Sequence, residues 1–324
     1  MPAVSPRIVP VSAILPTRNR APILARFLES LAAQDTLPSE IVICDASEDD
    51  CTHELVKSSI LLWQKRFGVD VIWRYIAANR AGLAPQRNQA VAAATQKFVW
   101  FLDDDIILEP GCLARLYEIL DGDEGVGGVT ATLINEPYHP PGRATRALMR
   151  WFENGYERES YASACVGPGW TFLHDAATDG PPLMRAEWLG GGCSVYRKCA
   201  LSEPAVPDHF EGGAIGEDLA ASLHVGKHWR MWHVRAARAI HDSQGGSHKR
   251  SRRRMAEQGL RNRYYILTRI MGRDAIRDHV DFALMNVFTL VSLLRQPRDW
   301  KFLIPNMLGL SLGLWKICSP KNHF

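Results

Sequence analysis

Three adjacent aspartates, Asp103, Asp104 and Asp105, follow the apolar segment Phe98–Leu102 and form the strongest candidate metal site in this sequence. Carboxylates this close repel one another unless a cation is near. If the segment is a strand, its side chains alternate, so Asp103 and Asp105 can face the same way. Oxygen ligands favour Mg²⁺ or Mn²⁺, which complete their shell with water and phosphate oxygens. A solvated turn or a helix cap is the alternative, and the position at the end of a strand favours the metal.

The polar residues upstream suit a phosphorylated ligand. Asp45 closes a second apolar segment and could accept hydrogen bonds from a ribose or a base, or else form an Asx-turn. Arg18 and Arg20 follow the first apolar segment, and Arg80 and Arg87 add further positive charge. Guanidinium groups bind phosphate oxygens well, although surface arginines often serve only solubility. Together these residues indicate a place where a diphosphate could lie.

Later residues could complete a catalytic site. Asp218 could take the proton of a hydroxyl held within ~3 Å. It could equally, with Glu217 before it, cap the following helix. His241 could be a metal ligand or a core histidine; as a ligand it needs a neutral ring, so metal binding should weaken below about pH 6. The glycines Gly190–Gly192 permit a ligand to approach the backbone closely, and a tight bend would explain them as simply.

The elements that must position these residues begin with short apolar segments that alternate with helical patterns. This alternation is typical of a parallel sheet covered by helices. The predicted strands are Val9–Leu15, Ile41–Asp45, Val69–Tyr75 and Phe98–Leu102, and the predicted helices are Pro22–Ala33, Glu54–Phe67 and Leu83–Thr95. In an open sheet of this kind, ligands bind outside the carboxyl ends of the strands. We therefore expect the polar clusters that follow the strands to meet in one crevice.

The pattern changes twice further along the chain. From about Asn135 to Glu187 it has no period, and we expect long loops, short helices and a variable lid. Order returns at Trp188–Tyr196, and a helix is predicted to run from Gly216 to Val225. Beyond about Ala236 the chain is basic, then helical and apolar, with no further strand signal. We therefore expect an α/β domain over residues 1–235 and a helical extension over residues 236–324.

Composition excludes several classes of protein. The 324 residues are 46% hydrophobic and 23% charged, which excludes a disordered or polytopic membrane protein. The net charge of +3 is too balanced to mark the whole chain as a nucleic-acid binder. Seven dispersed cysteines without a Cys-x-x-Cys pair indicate neither a disulfide framework nor a thiolate zinc site, and they suit a reducing cytosol. The N-terminus, broken by prolines, does not resemble a signal peptide.

The C-terminal extension carries a basic stretch and two apolar runs. The stretch His248–Arg254 could be a solvated face, could hold the phosphates of a donor or of a lipid acceptor, or could touch an anionic membrane. No recognition helix or aromatic platform for nucleic acid accompanies it. The runs Phe282–Leu294 and Phe302–Trp315, of 13 and 14 residues, are too short to span a bilayer. They suit helices packed on the main domain or lying in a membrane interface, so we expect a cytoplasmic protein that is peripheral at the inner face of the cell membrane.

Taken in order, these motifs resemble those of the inverting family 2 glycosyltransferases of GT-A fold, particularly bacterial rhamnosyl- and galactofuranosyl-type transferases. The resemblance covers about residues 9–270, and it is the ordered set that is specific. The matching motifs are Pro16-Thr17-Arg18-Asn19, Asp45-Ala46-Ser47, Arg80-Ala81-Gly82-Leu83 with Arg87-Asn88, Asp103-Asp104-Asp105, Gly190-Gly191-Gly192-Cys193-Ser194, Gly216-Glu217-Asp218-Leu219, His241 and Arg261-Asn262-Arg263-Tyr264-Tyr265. The resemblance implies a GT-A-like, mainly parallel twisted sheet with helices on both faces, plus the C-terminal helical extension.

The resemblance also implies roles for single residues. Those implied to contact the donor nucleotide are Thr17, Arg18, Asp45, Arg80 and Asp103. Asp105 and His241 would bind the Mn²⁺ or Mg²⁺ that bridges the diphosphate, and Asp218 would be the catalytic base. The wall around donor and acceptor would include Trp188, Gly191, Gly192 and Glu217. No family pattern matches the segment between about Asn135 and Glu187.

The function implied is transfer of a hexosyl or deoxyhexosyl unit from a UDP or dTDP sugar to a glycan or lipid-linked acceptor, in cell-surface polysaccharide synthesis. The cation would offset charge on the leaving diphosphate, and the base would activate the acceptor hydroxyl. Without a covalent intermediate, configuration should invert. Two alternatives stay open. One is a metal-dependent nucleotidyltransferase or pyrophosphohydrolase that uses the same aspartates, and the other is a non-enzymatic scaffold that binds nucleotides or membranes.

Overall fold

The first third of the chain alternates strands and helices as predicted. The computed structural model describes residues 5–68, 71–177, 180–210, 215–243 and 251–319. Its first elements are β1 (Arg7–Thr17), α1 (Ala21–Ala32), β2 (Thr36–Asp45), α2 (Cys51–Phe67), β3 (Ile72–Ala77), α3 (Leu83–Ala93) and β4 (Phe98–Leu102). The third strand was expected from Val69, which lies outside the described residues. Along β1, Val11, Ala13 and Leu15 pack on one face of the sheet and Ile14 on the other, as the alternation of a strand requires.

The elements after the aspartates are shorter and more varied. They are β5 (Ile106–Leu108), α4 (Cys112–Gly122), β6 (Val126–Leu133), α5 (Arg143–Phe152), β7 (Cys165–Val166), β8 (Trp170–Thr171), β9 (Leu183–Arg185), β10 (Cys193–Arg197), α6 (Glu217–Gly226) and β11 (Arg230–His241). The described part of residues 135–187, which we call the loop-rich segment, contains little regular structure besides α5, as its pattern predicted.

β11 corrects one expectation, because it continues to His241 where no strand was predicted beyond Ala236. Its end is rich in alanine, which is a weak strand former. Tertiary contacts decide the outcome instead, since Ala237 and Ala239 are fully buried and Ala239 pairs with Leu108 of β5. β11 crosses the predicted domain boundary at residue 235, and the division into domains stays a prediction.

The longer strands form one nine-stranded sheet. Its neighbours follow the order β3-β2-β1-β4-β10-β6-β11-β5, and β9 pairs with β11. β10, β5 and β9 run antiparallel to their partners, so six of the nine strands point the same way. One apolar core joins a face of the sheet to α1, α2 and α4, and a second joins the other face to α3 and α6. The predicted mainly parallel α/β sheet with helices on both faces is confirmed.

Strand register explains why residues distant in sequence meet at one edge of the sheet. β1 pairs in parallel with β2, and Thr17 lies opposite Asp45. β10 runs antiparallel to β4, so the backbone N–H of Asp103 donates to the carbonyl of Gly192 at 3.1 Å. β11 runs antiparallel to β5, so its last residue, His241, returns to the aspartates. The carboxyl ends of β1, β2, β4 and β11 and the start of the antiparallel β10 therefore share one site.

The C-terminal helices pack against the loop-rich segment. α7 (Arg252–Tyr265) continues into a π-helical turn (Ile266–Ile270), and α8 (Ile276–Ser292) and α9 (Leu303–Cys318) follow. α9 lies so close to α7 that a Cβ on Gly309 would stand 2.3 Å from the carbonyl oxygen of Arg253. The core shared with the loop-rich segment comprises Met149, Phe152, Tyr161, Ala164, Val166, Leu260, Leu267, Phe282 and Met285. Of the predicted basic stretch, residues 248–250 lie outside the described residues.

Candidate active site

The carboxylates of Asp103 and Asp105 and the imidazole of His241 come together beyond the carboxyl end of β4. Each offers one ligand atom, and these atoms all lie within 4.8 Å of one another. β4 ends at Leu102, and the short β5 that follows pairs with the end of β11, which carries His241. This arrangement adds Asp103 to the pair predicted as metal ligands.

Arg20, at the start of α1, anchors two of the aspartates. Its guanidinium contacts Asp104 Oδ1 at 2.8 Å and Asp105 Oδ2 at 2.7 Å. The hydroxyl of Thr17 donates to Asp104 Oδ2 at 2.7 Å, so both carboxylate oxygens of Asp104 are bonded to protein. Burial raises the pKa of Asp104 to about 7 even with Arg20 beside it. Arg20, expected near a diphosphate, therefore holds the protein's own carboxylates.

Two residues of the loop-rich segment hold His241. Glu136 Oε1 lies 2.6 Å from Nδ1 of His241, and the Asn135 side chain bonds its backbone carbonyl and N–H at 2.8 and 2.9 Å. The Asp105 and Glu136 carboxylates raise the pKa of His241 to about 10. Burial alone would raise the pKa of Asp105, but hydrogen bonds from His241 and Arg20 lower it to about 2. A cation must therefore displace a proton from His241, and its binding should strengthen as the pH rises.

This donor set fits a divalent cation. Two carboxylates and one imidazole supply three ligands and leave positions for water and phosphate oxygens. A metal-binding histidine usually has its second nitrogen bonded to a carboxylate or carbonyl, which fixes its orientation, and Glu136 occupies that place for His241. The carboxylates favour Mg²⁺ or Mn²⁺ over softer metals.

Arg87 of α3 links the aspartates to the start of α6. It is fully buried, and its guanidinium contacts Asp103 at 2.7 Å, Glu217 at 2.6 Å and the carbonyl of Gly191 at 2.8 Å. Burial would lower the pKa of Arg87, but the two carboxylates outweigh it and raise the value. A Cβ on Gly191 would stand 2.6 Å from Nη1 of Arg87, so a larger residue there would have to displace this guanidinium. The predicted close approach to the glycine run is thus made by the protein's own arginine.

Glu217 and Asp218 open α6. Gly216 precedes them with φ of 88°, a left-handed conformation that favours glycine. Asp218 Oδ2 accepts from the backbone N–H of Gly191 at 3.2 Å and Oδ1 from that of Leu219 at 2.8 Å. Burial raises the pKa of Asp218, and Arg87 acts in the opposite direction. Burial, with a smaller contribution from Asp218, raises the pKa of Glu217 to about 8.

Asp45 lies at the same edge of the sheet, at the end of β2. The hydroxyl of Tyr75 donates to Asp45 Oδ2 at 2.9 Å, and the backbone N–H of Ser47 donates to Oδ1 at 2.9 Å. The Asx-turn foreseen as the alternative role of Asp45 is therefore present. Arg18 is exposed and pairs with Glu48 at 2.7 Å.

A cavity of about 190 Å³ connects most of these groups. It is lined by Arg87, Asp103, Leu133, Glu136, Leu173, His174, Trp188, Gly190, Gly191, Gly192, Glu217, Asp218 and His241. The predicted residues Asp103, Glu217, Asp218, His241, Trp188, Gly191 and Gly192 thus meet in one place, with Asp105 next to His241. The predicted nucleotide contacts Thr17, Arg18, Asp45 and Arg80 are not among the lining residues, and their roles stay predictions.

Sequence reasoning predicted Trp188 but missed the two buried histidines beside it. His174 stacks on Trp188 and on His233, with centroid distances of 5.2 and 4.9 Å. We call Trp188, His174 and His233 the ring stack. His174 comes from the loop-rich segment, where no periodic pattern marked it. Asn135 and Glu136 were missed for the same reason.

Known proteins are similar to this chain over much of its length. The family model described as Glycosyl transferase family 2 matches residues 12–179. An abequosyltransferase of Salmonella typhimurium is 28% identical over 175 residues, which are 51% of this chain and 50% of that protein. The GalNAc(5)-diNAcBac-PP-undecaprenol beta-1,3-glucosyltransferase of Campylobacter jejuni is 32% identical over 229 residues, 69% of this chain and 64% of that protein. The matched region therefore spans about half of the first relative and under two thirds of the second.

A solved structure shares the fold. The mannosyltransferase of Pyrobaculum calidifontis, in complex with GDP-Man and Mn²⁺, superimposes with a TM-score of 0.53 at 15% identity. The match covers 95% of this chain and 87% of that one. At this identity the likeness concerns the fold alone, and the predicted GT-A-like fold with C-terminal helices is confirmed.

Proposed function

The chain belongs to glycosyl transferase family 2, and on that basis we propose that it moves a sugar from a nucleotide-diphosphate donor to a hydroxyl of a glycan or lipid-linked acceptor. The observation that carries this proposal is the single cavity that joins Asp218 to Asp103 and His241. Sugar transfer needs positive charge near the leaving diphosphate and a base near the attacking hydroxyl. One cavity offers residues suited to both tasks.

On the donor side, Asp103, Asp105 and His241 would hold Mn²⁺ or Mg²⁺ against the diphosphate. Such a cation, when bound, offsets the negative charge that develops on the leaving oxygens. The mannosyltransferase of the same fold was solved with Mn²⁺, which supports this assignment. Asp45, Arg18, Arg80 and Thr17 would hold the nucleotide at the neighbouring strand ends.

On the acceptor side, Asp218 would take the proton of the attacking hydroxyl. Its pKa is raised by burial, and a base is most effective when its pKa approaches the working pH. Arg87, which pairs with the neighbouring Glu217, limits the rise in the pKa of Asp218. Because attack and departure then occur in one displacement, the sugar is transferred with inversion of configuration.

The substrates we propose are a UDP- or dTDP-linked hexose or deoxyhexose and an acceptor of cell-surface polysaccharide synthesis. The similar Campylobacter enzyme is a glucosyltransferase whose printed name includes an undecaprenol diphosphate glycan, which supports a lipid-linked acceptor. The similar Salmonella enzyme transfers abequose, which supports a deoxyhexose.

The proposal is tested with the full chain and a panel of UDP-, dTDP- and GDP-linked sugars. We expect one of them to release nucleoside diphosphate in the presence of Mn²⁺ or Mg²⁺ and to stop when EDTA is added. Asp105→Ala should abolish this release, whereas Asp121→Ala, which changes an exposed aspartate away from the cavity, should not. Release by wild type that does not depend on a metal would contradict the assigned donor site.

The bond that breaks separates this function from the alternatives. A glycosyltransferase cleaves between the anomeric carbon and the diphosphate, so it releases nucleoside diphosphate. A pyrophosphohydrolase cleaves within the diphosphate and releases nucleoside monophosphate and sugar phosphate. A scaffold releases neither product, so one chromatographic analysis of the nucleotides distinguishes the three.

We also propose that the C-terminal helices bind the surface of an anionic membrane. Among the described residues, no helix combines the length and apolar character needed to cross a bilayer. α8 and α9 nevertheless present exposed apolar side chains at helical spacing. They are Ile276, Val280, Leu284, Val287, Val291, Ile304, Met307, Leu308, Leu314 and Trp315. Exposed Arg252, Arg253, Arg295, Arg298 and Lys301 accompany them, a combination typical of interfacial helices.

Vesicles of phosphatidylcholine with and without phosphatidylglycerol test this localisation. Wild type should sediment with the anionic vesicles, and Ile304→Ser with Leu308→Ser should reduce the bound fraction. Leu61→Ser with Leu62→Ser is the matched control, because these leucines of α2 are 67% and 64% exposed but lie outside the C-terminal helices. If both double variants sediment as wild type does, the interfacial role of the helices is rejected.

A further inference from the structure

His174, a member of the ring stack that lines the cavity, carries a buried polar atom without a hydrogen-bond partner. Its side chain is 7% exposed, and Nδ1 is bonded to the hydroxyl of Ser163 at 2.8 Å. Among the described residues, Nε2 is shielded from solvent and has no hydrogen-bond partner. Nε2 lies 3.9 Å from the place that a Cβ on Gly190 would take, and His174 and Gly190 both line the cavity. A buried polar atom without a partner in a native structure requires an explanation, and a bound ligand is one.

The ring of His174 is held in one orientation and without charge. The ring stacks on Trp188 and on His233, at interplanar angles of 19° and 23°. Burial, with a smaller contribution from His233, keeps the pKa of His174 well below its ordinary range. A neutral imidazole whose Nδ1 is bonded presents Nε2 as one donor or one acceptor, depending on the tautomer. A hydroxyl group can satisfy either state.

We propose that His174 is a specificity-determining residue that hydrogen-bonds one hydroxyl group of the sugar held in this cavity. The inference rests on the proposed glycosyl transfer. The volume of about 190 Å³ is smaller than the ~300 Å³ at which drug-sized pockets begin, which suits a single sugar ring. A sugar without that hydroxyl leaves Nε2 unpaired, and sites built in this way discriminate strongly against such analogues.

Two sugars could supply the hydroxyl, since the donor sugar and the terminal sugar of the acceptor share this chemistry. Asp103 and Gly192 border the cavity on the metal side, and Asp218 borders it as the candidate base. Monodeoxy analogues of each sugar separate the two sources. An effect on donor hydrolysis measured without acceptor identifies the donor sugar, and an effect on transfer alone identifies the acceptor sugar.

Two variants that differ by one methylene form the test. The amide of His174→Gln reaches as far as Nε2 and can replace its hydrogen bond. The amide of His174→Asn reaches only as far as Nδ1, so it keeps the contact with Ser163 and loses the one proposed here. With the donor that releases nucleoside diphosphate fastest in the panel, we expect His174→Asn to lower kcat/KM by about tenfold or more. His174→Gln should recover most of that loss.

The analogues supply a readout that a merely structural role would not change. One monodeoxy sugar should be a poor substrate for wild type and should lose little more with His174→Asn, because the partner of the missing hydroxyl is already gone. His279→Asn is the control: it removes an imidazole of α8 that does not line the cavity and should leave this discrimination unchanged.

If every monodeoxy analogue lowers kcat/KM by the same factor with wild type as with His174→Asn, the inference is overturned. An equal response of the Asn and Gln variants, both folded, would overturn it as well. If wild type releases no nucleoside diphosphate from any donor, the proposed function fails first and this inference fails with it. The two failures are therefore distinguishable.

Discussion

The cavity is bordered by two buried polar regions with opposite electrostatics. One is the strand-end cluster, formed by Arg20, Arg87, Asp103, Asp105, Glu217 and His241, where guanidinium and carboxylate groups pair at 2.6 to 2.7 Å. The other is the ring stack, in which burial lowers the pKa of His233 to about 4 and that of His174 well below its usual range. In the first region Arg20, Arg87, Asp105 and His241 keep their charge because partners are present, whereas the histidines of the second region lose theirs because no opposite charge is near.

This difference matches the two tasks of a sugar transferase. The leaving diphosphate accumulates charge, so the fixed charges of the strand-end cluster lie where they can respond to it. A sugar ring is neutral, and neutral donors and acceptors select it by the position of its hydroxyl groups. The comparison therefore predicts large catalytic and folding effects in the cluster and smaller effects in the stack.

Asp218→Asn, at the edge of the strand-end cluster, should have the largest effect. The substitution keeps the shape of the side chain but removes the proton acceptor. We expect kcat for sugar transfer to fall by about 10²- to 10⁴-fold, while binding of the nucleoside diphosphate, measured by calorimetry, stays as in wild type. Asp175→Asn is the control, because Asp175 pairs with Arg235 at 2.6 Å and does not line the cavity. Wild-type kcat in Asp218→Asn would mean that another group is the base.

Arg87→Met tests whether the cluster is held together by its pairs. Removing the guanidinium leaves Asp103 and Glu217 without their shared partner, and breaking a buried pair in this way typically costs about 3–5 kcal/mol of unfolding free energy. Urea unfolding followed by circular dichroism measures the loss.

The control for Arg87→Met is Arg197→Met. Arg197 is also buried, but its guanidinium donates to the backbone carbonyls of Val126, Leu120 and Asp123. The loss expected there is about 1–3 kcal/mol, because neutral acceptors are left unpaired and no charge is stranded. Equal losses in the two variants would show that the charges of Asp103 and Glu217 do not depend on Arg87.

Much of the strand-end cluster could be predicted from the sequence because strand patterns and register determine it. Asp45 and Asp103 each follow an apolar strand, and parallel pairing brings such positions to one edge. What the sequence could not predict is which charges pair within the protein. Arg20 and Arg87 were expected to add positive charge for a diphosphate, yet each holds two carboxylates, because a local pattern does not distinguish a protein partner from a ligand.

The two histidines of the ring stack could not be predicted for a different reason. His174 lies in the loop-rich segment, where no helical or strand period marks buried positions. Its burial and its neutral state arise from contacts with Trp188 and with His233 of β11, both distant in sequence. Loops place residues through tertiary contacts alone. His174, which we propose selects the sugar, therefore lies where the sequence shows no pattern.

The ring stack should make stability depend on pH. The unfolded chain protonates His233 near pH 6.5, whereas the folded chain does so only near its lowered pKa of about 4. As the pH falls from 6.5 towards 4, this residue therefore lowers the free energy of unfolding by about 1.4 kcal/mol per pH unit.

Glu217 and Asp104 change the unfolding free energy with pH in the opposite direction to His233. The contribution of His233 is therefore isolated as the difference between wild type and a variant without it. Burial raises their pKa values to about 8 and about 7, so the folded chain retains their protons as the pH rises. Urea unfolding of wild type and of His233→Asn between pH 4.5 and 7 should converge as the pH falls. A constant difference across this range would mean that the fold does not lower the pKa of His233.

Ser163 offers the smallest and most selective change to the ring stack. Its φ is 60°, a conformation that costs a non-glycine residue about 1–2 kcal/mol, and its hydroxyl fixes Nδ1 of His174 at 2.8 Å. Ser163→Ala loses the hydrogen bond and keeps the strain, so we expect unfolding free energy to fall by about 1–3 kcal/mol. Ser163→Gly loses the same bond and relieves the strain, so its loss should be smaller by about 1 kcal/mol. Because both variants free the ring of His174, they should lower kcat/KM equally. If the less stable variant instead has the lower kcat/KM, the stack supports the fold without selecting the sugar.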